Sequence, residues 1–182
     1  MKIQSLSYLL IETTDLQEWA DYAKDVVGLM KNDSLSDEQN LFLRMDEKSF
    51  RFHIKTGSSK KYLAAGFSLS DKTAFDNAKS ELDEAKVDYE DLGHEIAKLR
   101  CVEECIGLHD PAGNRLELSY GSKDASEPFV STQDIKGFIT KGLGFGHVVF
   151  AAPNLELAHR FYIDILGFGD SDYMNFPMGP AP

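Results

Sequence analysis

Residues 3–11 are dense in Ile, Leu and Tyr and predict a strand. Leu16, Trp19, Ala20, Ala23, Val26 and Val27 then recur at helical spacing. They predict an amphipathic helix over 15–27, capped by Thr14 or Asp15 and stopped by Gly28. Two short alternating runs follow, with Leu41 and Leu43 on one face of the first and Phe50, Phe52 and Ile54 on one face of the second. Residues 62–69 predict another strand, and Ser70 can cap a helix that buries Ala74, Phe75, Ala78, Leu82 and Ala85. Strands near 94–100, 104–109 and 115–120 complete the run, with a turn over Asp110–Asn114 between the last two. The order is β-α-β-β-β, repeated once.

Residues 122–145 are polar and rich in turn formers, which predicts a linker. The opening pattern then returns at an offset of 139 residues, where His147-Val148-Val149-Phe150 stands against Tyr8-Leu9-Leu10-Ile11. At that offset Leu16 meets Leu155, Asp25 meets Asp164 and Gly28 meets Gly167. The helical stripe recurs as Leu155, Ala158, Phe161, Ile165 and Leu166. Internal repeats of this kind fix architecture. The expected fold class is α+β, built of paired βαβββ modules. Its expected divisions are a complete domain over 1–121, a linker over 122–145 and the truncated start of a second domain over 146–182.

Two stretches carry a family resemblance. GLHDPAGNRLELSYG, at 107–121, resembles the DPxGNxxEL strand that ends a module in the vicinal oxygen chelate superfamily. EPFVSTQDIKGFITKGLGFGH, at 127–147, is similar to the interdomain linker of two-domain extradiol dioxygenases of the 2,3-dihydroxybiphenyl 1,2-dioxygenase type. The opening SYLLIETTDLQEWADYAKDVVGL also looks like the start of those enzymes.

The resemblance implies an extradiol dioxygenase that opens a catechol ring with Fe(II) and O2. Its metal would be held by two histidines and a glutamate, a set that leaves three coordination positions for catecholate and dioxygen. His147 matches the first ligand, and Val149 and Met178 match pocket positions. The other two ligands would fall beyond residue 182, so the resemblance implies no catalytic residue within this chain, no retained iron and no activity alone. In the first domain, Glu117 takes the carboxylate position, Tyr8 stands where the first histidine would be, and His53 is expected to face the same concavity. Tyr8, His53 and Glu117 together are an alternative metal site or a polar-lined cavity.

Composition narrows the classes. Thirty acidic against nineteen basic residues leave a net charge of −11, which argues against nucleic acid as partner. No apolar run is long enough for a membrane span, and the N-terminus lacks the features of a signal peptide. Cys101 and Cys105 are expected to be reduced thiols in a cytoplasmic protein, and their acidic neighbours argue against a nucleophile. His94, His109 and His159 are expected to be exposed or to serve as local hydrogen bonders. An unfinished βα unit predicts a homo-oligomer, through exposed edges and one apolar helix face. Two further readings stand beside the dioxygenase. One is a non-enzymatic small-molecule-binding or interaction protein of the same superfamily; the other is a stand-alone glyoxalase-like enzyme whose metal site forms between chains.

Overall fold

The computed structural model describes residues 1–141 and 144–173. Strand β1 (Ser5–Thr13) turns Tyr8 and Leu10 to one side and Leu9 and Ile11 to the other, as strand alternation requires. The Asp15 carboxylate accepts the Glu18 N–H and starts α1 (Leu16–Tyr22). The helix widens into a π-helical turn over Ala23–Val27 and stops where Gly28 enters the left-handed region at φ 83°. Strands β2 (Met30–Lys31), β3 (Asn40–Arg44) and β4 (Phe52–Thr56) complete the first βαβββ unit. The second unit comprises β5 (Lys61–Leu69), α2 (Lys72–Ala85), β6 (Tyr89–Asp91), a short helix α3 (Gly93–Leu99), β7 (Glu104–His109) and β8 (Arg115–Tyr120).

All eight strands form one sheet in the order β2-β3-β4-β1-β5-β8-β7-β6. β1 and β5 lie antiparallel at its centre, β4 is parallel to β1, and β8 is parallel to β5. The two units are therefore copies of one four-stranded arrangement, joined through their first strands. The helices α1 and α2 cover one side of the sheet. There Ala23 packs with Leu41, Leu43 and Ile54, and Phe75, Ala78 and Leu82 pack with Phe67, Leu116 and Leu118. The other side holds Tyr8, Leu10, Phe42 and Phe50, and α3 covers its second half through Ala97, Val102 and Cys105.

Four local features depart from the pattern-based expectations. Residues 93–99 are helical, not a strand, because Leu92, Ile96 and Ala97 recur at helical spacing and pack on Val102 and Cys105. The second helix is capped by Asp71, whose carboxylate accepts the Ala74 N–H at 2.9 Å, while Ser70 only donates to that carboxylate. Phe50 faces away from Phe52 and Ile54. Arg51 is pinned to Asp46 and to the Ser7 carbonyl just before β4, and the side-chain alternation loses its phase across that bend. Residues 146–151 form no strand, since a strand requires a hydrogen-bonded neighbour and none lies beside them among the described residues.

The second copy of the opening unit is nevertheless visible. Asn154 accepts the Leu157 N–H and starts α4 (Leu155–His159), which also widens into a π-helical turn, over Arg160–Ile165, before Gly167 at φ 75°. Cap, widened turn and positive-φ glycine thus recur at the offset seen in the sequence. This unit packs on the first domain of the same chain. Phe161 (4% exposed) and Leu166 join the core around Phe75 and Leu82. The turn over Asp110–Asn114 receives it: Tyr162 OH donates to Asp110 Oδ2 at 2.8 Å, and Asn114 Nδ2 donates to the Ala151 carbonyl at 3.3 Å.

The connecting segment is also tied down. Ser131, Thr132 and Gln133 donate to the carbonyls of Gly28 and Lys24, groups that the end of the π-helical turn leaves without helical partners. Among the described residues, no helix is long and apolar enough to cross a membrane.

If α4 and its π-helical turn share the first domain's core, Phe161→Ala should lower the stability of the whole chain by about 3–5 kcal/mol in a single urea transition. An unchanged main transition, with only the tail lost, would show that the two parts fold independently.

Candidate metal centre and a buried ionic relay

His147 lies on the extended segment 146–151. Val148 and Phe150 turn inward onto the core, leaving His147 and Val149 exposed, the latter 83%. His147 borders a cavity of about 620 Å³, walled by Ile3, Leu6, Phe67, Phe150, Tyr162 and Phe168. Val149 does not line that cavity, and Met178 lies outside the described residues. His159 is engaged with Asp170 at 3.1 Å. No group of three or more His, Cys, Asp or Glu side chains that could hold a metal occurs among the described residues.

Tyr8, His53 and Glu117 do come together, on the inner face of the first domain. Glu117 is 1% exposed. The sheet register places Tyr8 on β1 beside Gly66 on β5, and Gly66 beside Glu117 on β8. Because Gly66 has no side chain, the Tyr8 ring crosses over it. A Cβ there would lie 2.2 Å from the ring. Tyr8 OH reaches Glu117 Oε2 at 2.7 Å.

The fourth member is Arg100, directly after α3. Its Nε donates to Glu117 Oε2 at 2.8 Å and its Nη2 to Glu117 Oε1 at 3.1 Å, a forked pairing that occupies both carboxylate oxygens. Its Nη1 lies 3.5 Å from His53 Nδ1, and His53 Nε2 lies 2.9 Å from Asn40 Oδ1. Asn40 Nδ2 donates to Asp37, which fixes the amide so that its oxygen faces His53. His53 must therefore be the Nε2–H tautomer, with an Nδ1 lone pair facing Arg100. The result is one relay, running Asp37–Asn40–His53–Arg100–Glu117–Tyr8.

Electrostatics follow from burial. Desolvation, then the Arg100 charge, pull the His53 pKa down to about 3, so the ring is neutral at pH 7. Burial and the Glu117 charge raise the Tyr8 pKa well above the usual phenol value, so Tyr8 keeps its proton. Burial pushes the Cys105 thiol to about 12, which rules it out as a nucleophile near neutral pH. The relay does not fit an iron site. A guanidinium already balances Glu117, and a 2-His-1-carboxylate centre needs a second imidazole where this chain has Tyr8.

Residues 6–57 match the sequence profile of the dihydroxybiphenyl dioxygenase BphC D1 family. Over 180 residues the chain is 32% identical to the 3-methylcatechol 2,3-dioxygenase of Pseudomonas putida, which covers 98% of this chain and 61% of that protein. Over 177 residues it is 34% identical to an iron-dependent extradiol dioxygenase of Rhodococcus jostii, which covers 97% of this chain and 58% of that one. A crystal structure of catechol 2,3-dioxygenase superposes with a TM-score of 0.86 at 30% identity, over 92% of this chain and 59% of that one. Along nearly all of its length the chain is similar to extradiol dioxygenases. A manganese-bound glyoxalase from Novosphingobium aromaticivorans shares the fold, at a TM-score of 0.74 and 15% identity. The chain spans about three-fifths of the length of its dioxygenase relatives, between 58% and 61% for the two named.

The sequence pattern points to Tyr8, His53 and Glu117 but not to Arg100 and Asn40. Arg100 was masked by the strand expected over 94–100. The short helix that replaces that strand is what delivers the guanidinium to Glu117. The signal that could have exposed it was a buried carboxylate position with no nearby cation assigned, since such a charge needs a partner.

Removing only one side of the buried pair should be costly. Arg100→Met should destabilise the fold by about 3–5 kcal/mol, and Arg100→Met combined with Glu117→Leu should recover most of that loss in a urea-unfolding cycle. A double variant no better than the single would contradict the pairing.

His53 sets an acid limit. Its folded pKa is depressed from the unfolded value of about 6.5 to about 3. The unfolded chain therefore takes up a proton first, and stability is lost as pH falls through that window, by at most about 1.4 kcal/mol per pH unit. Stability measured from pH 7 to pH 4.5 should fall less steeply in His53→Gln than in the parent; identical slopes would show that His53 does not titrate as described.

Proposed function

We propose that the protein carrying this sequence is an extradiol dioxygenase, opening a catechol such as 2,3-dihydroxybiphenyl beside its diol with Fe(II) and O2. The observation that carries this reading is identity at or above 30% to named dioxygenases across nearly the whole chain. His147 is the first metal ligand in this reading. Its support is an exposed imidazole beside an aromatic-walled cavity, at the position matching Tyr8 in the first unit. Two further ligands must come from residues outside the described ones or from a second chain, so the described residues alone hold no tight iron and open no ring.

The same reading divides the chain into a scaffold domain over 1–121, a connector over 122–145 and the start of the metal-binding domain from 146. It makes the protein a cytoplasmic homo-oligomer, consistent with the free thiols of Cys101 and Cys105.

The test is metal content with catechol turnover. Purified anaerobically at the length its gene encodes and loaded with Fe(II), the protein should yield the yellow ring-opened product from 2,3-dihydroxybiphenyl. His147→Ala should lose both the iron and the colour, and residues 1–141 alone should show neither. Iron-loaded protein that leaves every catechol intact, or activity that survives in His147→Ala, would overturn the assignment.

A further inference from the structure

A second cavity, of about 470 Å³, opens above the relay on the inner face of the first domain. It shares no lining residue with the cavity beside His147. Leu10, Leu63 and Ala64 wall one side, and Leu92, Ile96 and Leu99 wall the side formed by α3 and its flanks. Its size falls within the range of preformed small-molecule pockets, which combine apolar walls with a few convergent polar groups.

The polar groups have one chemical sense. Both Glu117 oxygens are occupied by Arg100 and Tyr8, and Asn40 Oδ1 is occupied by His53. His53 Nδ1 faces Arg100. A guanidinium has five N–H groups, and three of those on Arg100 are engaged. Two remain without a protein partner among the described residues. Lys55 borders the same cavity, is exposed, and makes no ion pair among the described residues, whereas Arg115 is paired with Glu90 at 2.6 Å. Asp37, the nearby carboxylate, is tied up by the N–H groups of Gln39 and Asn40. The Gln39 amide, which also lines the cavity, can donate as well as accept, so the unspent charged capacity on the cavity wall is positive. An amine entering this cavity finds a neutral amide oxygen but no unpaired carboxylate among the described residues; a carboxylate finds two guanidinium N–H groups and an ammonium.

We propose that this first-domain cavity is a ligand site for a small aromatic carboxylate. The ring lies between the leucines of β5 and α3, and the carboxylate meets Arg100 and Lys55. The inference does not rest on the dioxygenase reading, because every residue it uses lies within 1–121 and His147 is not among them.

Benzoate is the probe, with benzyl alcohol and benzylamine as its neutral and cationic counterparts, titrated into the full chain by calorimetry and by backbone amide NMR. Benzoate should bind saturably, at least about tenfold more tightly than either counterpart. Amide shifts should centre on Leu63, Ala64 and Ile96–Arg100. Lys55→Glu, an exposed charge reversal, should weaken benzoate at least about threefold without moving the unfolding midpoint. Leu99→Trp should block the mouth, where Leu99 is 38% exposed. Equal affinity for benzoate and benzyl alcohol would overturn the proposal, as would shifts centred on the His147 cavity or an absence of saturation by about 20 mM.

Discussion

Glu117 is a carboxylate shut away from water, and the interior of the first domain is arranged around the need to balance it. A buried ionised carboxylate without a partner would cost more than this fold could sustain. Arg100 supplies the charge, Tyr8 supplies a further hydrogen bond, and Gly66 supplies the space through which Tyr8 reaches. Each depends on a different piece of the topology. Tyr8, Gly66 and Glu117 share one line of register across three strands, and Arg100 arrives from the end of α3. A one-residue slip of β1 against β5 would turn Tyr8 to the helical side and leave the pair half-satisfied. The relay thus specifies register as well as charge.

The internal repeat gives this arrangement its meaning. Tyr8 and His147 occupy equivalent positions in two copies of one unit, each copy capped by an Asp or Asn and ended by a positive-φ glycine. In the first copy the position is buried and closed by a guanidinium attached to the chain. In the second it is exposed beside a cavity. A metal ion accepts exchangeable ligands in open coordination positions, whereas a guanidinium donates a fixed set of hydrogen bonds and has no open position. One scaffold therefore carries a permanent ionic core in one half and a candidate metal ligand in the other.

Much of the architecture was legible because it rests on periodicity. The two-fold and 3.6-fold patterns around Leu9, Leu10, Trp19 and Phe75 are set by which residues must leave water, and the structure follows them. The failures occur where tertiary contacts override the pattern. Phe50 left its expected face because Arg51 is pinned to Asp46, a contact that no local spacing reveals. The segment 146–151 alternates like a strand and buries Val148 and Phe150 like one, yet hydrogen-bonded pairing depends on a neighbour and not on its own residues. Of the relay, the members on strands were legible through alternation. Arg100 was not, because its role depends on a short helix whose apolar spacing looked equally like a strand.

The turn over Asp110–Asn114 shows how a structural motif can be put to a second use. Within its own hairpin, Asp110 Oδ1 accepts the N–H groups of Ala112 and Asn114, and Oδ2 accepts Asn114 Nδ2, so the turn would be stable unaided. Yet Oδ2 also accepts Tyr162 OH, and Asn114 also reaches the Ala151 carbonyl. Both contacts come from the second copy of the unit. Asp110 is buried at this junction, and Phe161 and Leu166 extend the core beneath. The turn thus closes the β7–β8 hairpin and receives the second copy of the opening unit. Ala151 lies four residues after His147, so the contact from Asn114 tethers the segment that carries this imidazole to the β7–β8 turn.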